Sequence, residues 1–187
     1  MVVYLEVSCL KGMNGELVIK ELTGIYRNIE SLEYSVQTFL FKPPYSSKLI
    51  PRKYTRSNTW VTYNLHGIRW ADGHISYLEL ERILYECTER KGTIYAKGLE
   101  KCKLLTTLIE SYVNHAVDIF NLDDFQCPKH TDIQTQSSRL LIPCAFNKHL
   151  YGECTQVKAL KYAEWNFERV NKRLVAVPSS IEANEKT

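Results

Sequence analysis

The sequence predicts an α/β layered domain built on a mixed β-sheet, and three observations carry that prediction. Three segments rich in β-branched, leucine and aromatic residues open the chain, the first two separated by an Asn14-Gly15 hairpin turn. A double proline, Pro43-Pro44, closes the third, because proline cannot donate to a strand ladder. Beyond it, segments of helical and strand period alternate. An antiparallel meander followed by alternating helix and strand packs in layers, helices covering the sheet. A length of 187 residues suits one domain. It is expected over residues 1–175, with a polar, disordered tail over 176–187.

The elements follow in order. The first strand is expected over Val2 to Ser8, the second over Glu16 to Tyr26, with Leu17, Ile19 and Leu22 as apolar positions. The third runs from Glu33 to Lys42, carrying Tyr34, Val36, Phe39 and Phe41. Residues 52–65 read as a helix with Tyr54, Trp60, Val61 and Leu65 near one face. Ser76 can cap a helix over 77–89, with Glu79 three residues on as in a capping box. Lys91-Gly92 turns into a strand, Thr93 to Ala96, and Gly98 leads into a helix, Leu99 to Tyr112. A strand fits Ala116 to Phe120. Residues 121–153 are turn-rich, and a long helix spans Thr155 to Arg173. The tryptophans Trp60, Trp70 and Trp165 are expected in the core.

Composition narrows the function classes. The chain is 44% hydrophobic and 24% charged, as soluble domains are, and no apolar run approaches the roughly 20 residues of a membrane span. A net charge of +3 permits a nucleic-acid partner without demanding one. Six cysteines without a signal-like N-terminus imply a reducing, intracellular setting, cytoplasmic or nuclear. Cys9, Cys87 and Cys102 fall inside regular elements and read as buried thiols. No Gly-rich phosphate loop, Gly-x-Ser-x-Gly elbow or His-Glu-x-x-His motif is present. No membrane partner and no small-molecule substrate are expected.

Cys144-x4-His149-x4-Cys154 is the densest group of soft ligands. Thiolate and imidazole suit Zn²⁺, which takes four such ligands in structural sites. Cys127, beside Pro128, is the expected fourth; His130, Glu100 or Glu110 could replace it. A zinc staple would order the long turn-rich segment ahead of the last helix. The alternative is separate buried thiols and a surface histidine.

The motif set resembles the ribonuclease H-like fold of the DEDD 3′–5′ exonucleases, over roughly residues 1–173. Val2-Val3-Tyr4-Leu5-Glu6 resembles their first-strand Asp-x-Glu motif. Phe39-Leu-Phe-Lys-Pro43 and Leu65-His-Gly-Ile-Arg-Trp70 resemble the end of the third strand and a His-Gly-Ile-Thr segment. The stretch from Ile94 to Leu105 resembles the second motif, and His149-x4-Cys154 the third, His-x4-Asp. The family's chemistry uses carboxylates to hold two divalent ions that clamp the attacking water and the leaving oxygen. Carried over by position, the first Asp is Tyr4, Glu6 remains, the second-motif Asp is Lys101, His149 keeps the place of the base, and Cys154 replaces the last Asp. Lysine, tyrosine and cysteine are poor partners for Mg²⁺. The resemblance therefore implies a degenerate site and no catalysis; Mg²⁺ or Mn²⁺ enters only if the chain is an active nuclease after all, a 3′–5′ exonuclease or a non-canonical RNA endonuclease. A zinc-bearing, degenerate relative of this kind is similar to the Maelstrom domain of the piRNA pathway. That similarity implies single-stranded RNA binding or protein scaffolding in small-RNA or transposon silencing. A protein-interaction module of a virus or mobile element is the third reading.

Two basic groups could meet a nucleic acid. Arg52, Lys53 and Arg56 are interleaved with Tyr54, the pairing of cations and rings that single strands use; they also read as a solvated helix face. Lys97, Lys101 and Lys103 lie beside Tyr95 and, on the resemblance, flank the old active-site cleft, where Lys101 could turn a metal site into a phosphate site.

Overall fold

The structure is a computed structural model that describes residues 1–28, 33–89, 92–112, 117–134, 149 and 154–175, with the backbone alone for 172–175. Five strands form one mixed sheet: β1 (Val2–Lys11), β2 (Leu17–Arg27), β3 (Tyr34–Leu40), β4 (Thr93–Ala96) and β5 (Ile119–Asn121). Their order is β3-β2-β1-β4-β5. The first three pair antiparallel, and β4 and β5 join parallel to β1. This is the predicted meander with two parallel strands added at one side. The helices are α1 (Arg52–Val61), α2 (Glu79–Glu89), α3 (Leu99–Tyr112) and α4 (Thr155–Val175). No helix among the described residues is long and apolar enough to cross a membrane.

Alternation along β1 sends its side chains to two different layers. Val3, Leu5 and Val7 point into the larger core with Leu80, Ile83 and Leu84 of α2 and Leu105 and Ile109 of α3. Each such buried aliphatic side chain is worth roughly 1.5–3 kcal/mol. Tyr4 points the other way, to Ile25, Ala159, Leu160, Tyr162 and Ala163, under α4. On that second face the sheet is not purely apolar. Glu6, Ser8, Glu21 and Thr23 are all buried there, as are Thr155, Gln156 and Asn166 of α4.

Helix α1 departs from the predicted pattern at Trp60, while Tyr54, Val61 and Leu65 are half-buried. Its buried residue is Asn58, followed by Thr62 and His66 in a π-helical turn over Thr62–His66. Trp60 is 58% exposed and Tyr63 67%. The expectation that Trp60 lies in the core is therefore corrected. The physical reason is that α1 docks through hydrogen bonds. Asn58 accepts from the Lys11 amide at 2.7 Å and donates to the Lys11 carbonyl at 2.8 Å. Thr62 Oγ1 donates to the Ile68 carbonyl at 2.8 Å, and His66 Nδ1 accepts from the Ile68 amide at 3.0 Å. Polar side chains satisfy otherwise orphaned backbone groups, so the inward stripe has no need of aromatic rings. The β1–β2 hairpin also rests on this helix. Gly15 has φ 87°, and a Cβ there would lie 2.4 Å from the Tyr54 hydroxyl.

Candidate functional site

Several of the residues singled out in the sequence lie on or beside the polar face of the sheet. Glu6 pairs across the ladder with Thr23, and Ser8 with Glu21, so the two carboxylates belong to one face at one end of β1. Glu6 is 1% exposed, and its Oε1 is ion-paired with Lys101 from α3. Its Oε2 has no hydrogen-bond partner among the described residues. Tyr4 stacks on Tyr95, and its hydroxyl accepts from Asn166 Nδ2 at 3.0 Å. The structure thus brings Glu6 and Lys101 together as a neutralised pair and ties Tyr4 into the α4 layer.

Glu21 is the residue that sequence reasoning missed. It is wholly buried on β2, and His149 Nε2 lies 2.9 Å from its Oε1. Thr155 Oγ1 donates to its Oε2 at 2.8 Å and contacts Thr23 Oγ1 at 2.7 Å. The other ring nitrogen of His149 lies 2.8 Å from the His66 carbonyl. A carbonyl and a carboxylate both accept, so both imidazole nitrogens donate and the ring is cationic. Burial works against that charge, but the Cys154 thiol and the Glu21 carboxylate outweigh it and take the imidazole up to about 10. Both ring nitrogens thus have partners, and Cys154 is a further hydrogen-bonding neighbour of the ring. Neighbouring His66 differs: burial pushes it below the usual histidine range.

The zinc set is only partly described, because Cys144 lies outside the described residues. Cys127 is buried beside Leu122 and Ile133, with Lys97, Asp123 and Arg169 as its charged neighbours. Burial pushes its thiol up to about 11. Cys154 is buried beside His149. Among the described residues no three His, Cys, Asp or Glu side chains come together as a ligand group. Of the four expected ligands the structure places Cys127, His149 and Cys154, with Cys154 beside His149, and Cys144 lies outside the described residues.

The two basic groups separate clearly. Lys97 is ion-paired with Asp123 and donates to the Cys127 carbonyl at 2.5 Å. Lys101 is held by Glu6, and only Lys103 of that group is fully exposed. Arg52, Lys53 and Arg56 are all exposed on α1. Among the described residues the guanidinium groups of Arg52, Arg56 and Arg69 make no ion pair. Lys53 Nζ sits 4.5 Å from the centre of the Tyr54 ring, and Lys11 Nζ lies 5.8 Å from it. Arg52, Arg56 and Trp60 follow at four-residue spacing and so share one face of the helix; Tyr63 continues it into the π turn. A signal for this surface was present in the sequence. Between Tyr34 and Ala71 there are six Lys and Arg residues and no acidic residue, while the whole chain carries only +3.

No protein-family model matches the chain, and no curated protein matches its sequence.

Proposed function

We propose that this chain is a non-catalytic, exonuclease-like α/β domain that binds single-stranded RNA along α1. The observation that carries the reading is the solvent-facing row of Arg52, Arg56, Trp60 and Tyr63. Unpaired guanidinium groups meet phosphates, and exposed rings stack on unpaired bases, which a duplex would not offer. An aromatic side chain left in water over a polar-docked helix gains nothing for folding, so its placement supports a binding role.

The polar face of the sheet supports the non-catalytic half of the proposal. Glu6 is already neutralised by Lys101, a fixed positive charge where a divalent ion would be needed. His149 occupies the place of a general base but has both nitrogens engaged. The meander-plus-two-parallel-strands sheet agrees with what the exonuclease resemblance implies about fold.

The test is fluorescence anisotropy with a labelled short RNA strand. Arg52→Glu/Arg56→Glu should weaken binding at least about tenfold, since each lost phosphate contact removes counterion release. Lys97→Glu/Lys101→Glu should weaken it less. Unchanged affinity in the α1 variant would refute the assignment, and degradation of the strand with Mn²⁺ that depends on Glu6 would refute the non-catalytic reading.

A further inference from the structure

A cleft opens beside the α1 row, between the helix, its π turn and Trp70. Its volume is about 200 Å³, and Tyr63, Arg69, Trp70, Thr55 and Thr59 line it. That is below the roughly 300–1,000 Å³ of pockets that enclose a drug-sized ligand, and it suits a single ring system. We propose that this cleft takes one unstacked nucleobase of the bound strand; the inference rests on the α1 reading above and deepens it.

Three features of the cleft point to a base. The first is its walls. Trp70 is held in place by its indole N–H, which donates to the Tyr45 carbonyl at 3.1 Å, and by the Tyr45 ring 5.4 Å away. A fixed indole is a stacking surface that loses little freedom on binding. Tyr63, on the π turn that follows α1, forms the rim, and π-helical turns are frequent at functional sites.

The second is the polar inventory. The Thr55 hydroxyl donates to the Ile50 and Pro51 carbonyls just ahead of α1, and the Thr59 hydroxyl to the Thr55 carbonyl. Their lone pairs remain as acceptors, matching the N–H groups on a base edge. Arg69 supplies donors for a ring nitrogen or carbonyl oxygen; its backbone is fixed by a bond from its amide to Asp72 Oδ2 at 2.7 Å, while its guanidinium makes no ion pair among the described residues. The cleft therefore offers both partners that an unpaired Watson–Crick edge requires.

The third is continuity. The cleft shares Tyr63 with the exposed row, so a strand tracking Arg52, Arg56 and Trp60 reaches the rim without leaving the basic segment. The segment from Tyr34 through Ala71 carries six basic and no acidic side chains; the carboxylate that follows it, Asp72, is engaged by the Arg69 amide.

The experiment follows the Trp70 indole N–H resonance in ¹⁵N-labelled protein, assigned with Trp70→Phe. A short oligouridine and its abasic counterpart of equal charge are the probes. The oligouridine should shift the Trp70 signal and the abasic strand should not, and Tyr63→Ala should remove the response. Equal responses to both strands, or a silent Trp70 while the strand still binds through Arg52 and Arg56, would overturn the cleft and leave the α1 reading standing. Loss of strand dependence on Arg52 and Arg56, with a base-dependent Trp70 response retained, would overturn the α1 row and keep the cleft.

Discussion

His149 and Glu21, 128 residues apart in sequence, form a buried imidazolium–carboxylate pair at 2.9 Å. It fastens His149, six residues before the start of α4, to β2, and the second nitrogen fastens the same ring to the π turn. A histidine used twice as a donor is a structural clamp.

The first prediction follows from that clamp. His149→Ala leaves Glu21 charged and buried, and should cost roughly 3 kcal/mol in urea unfolding. Chelation with EDTA should leave the melting temperature of the wild-type protein unchanged. A chelator-dependent fall that zinc restores would place a metal on His149 and break the pair with Glu21.

Glu6 and Lys101 behave as a second linked pair. Lys101→Met should destabilise by roughly 3 kcal/mol, because it strands a buried carboxylate. Adding Glu6→Gln should recover most of that loss, since the neutral amide no longer needs a cation. Additive losses in the double variant, measured by denaturant unfolding, would show that the two side chains do not interact.

Lys20 gives the pH dependence. It is fully buried on β2, and its ammonium donates to the carbonyls of Phe41 at 2.6 Å and Asp72 at 2.8 Å. Burial pulls it down to about 8, against a slight upward pull from Asp72. A base whose folded pKa lies below its unfolded value binds fewer protons when folded, so stability rises with pH across that window. Relative to Lys20→Met, the wild-type protein should gain about 3 kcal/mol between pH 8 and 10.5. A parallel pair of stability curves would refute it.

Binding should respond to Trp60 and to salt in different ways. Trp60→Ala should lose roughly 1–3 kcal/mol of strand affinity through stacking, with melting changed by no more than about 0.5 kcal/mol. Three phosphate contacts, from Arg52, Lys53 and Arg56, should weaken binding roughly 20-fold between about 50 and 200 mM salt. The Trp60→Ala variant should keep that salt slope, whereas Arg52→Glu/Arg56→Glu should flatten it.

Much of the fold could be read along the chain. Gly92 and Gly98 frame β4 and α3 so sharply that Thr93–Ala96 and Leu99–Tyr112 are found where the sequence places them. β1 runs three residues past Ser8 because a register shift between Ser8 and Cys9 interrupts the alternation. The site was harder to read. Periodicity ranks apolar side chains, so it turned Trp60 inward; it has no measure for an amide such as Asn58 that satisfies both backbone groups of Lys11. Glu21 in an apolar strand looks like a surface residue until its partner arrives from position 149. Of the positions that the exonuclease resemblance singled out, Glu6 and Lys101 meet as an ion pair. Their meeting removes Lys101 as a free phosphate ligand, which spacing alone could not reveal.

The acid-free stretch also governs how the molecule behaves before it touches anything. Six positive charges between Tyr34 and Ala71, against a total of +3, leave the remainder of the chain net negative. Charge is therefore unevenly divided along the chain although its sum is modest. A basic segment of this kind raises the rate of encounter with a polyanion and, in dilute buffer, favours contact with the acidic parts of a second copy. Screening shortens that reach to about 10 Å at 0.1 M salt. The same preparation should therefore cluster in low-salt dialysis and disperse on adding salt.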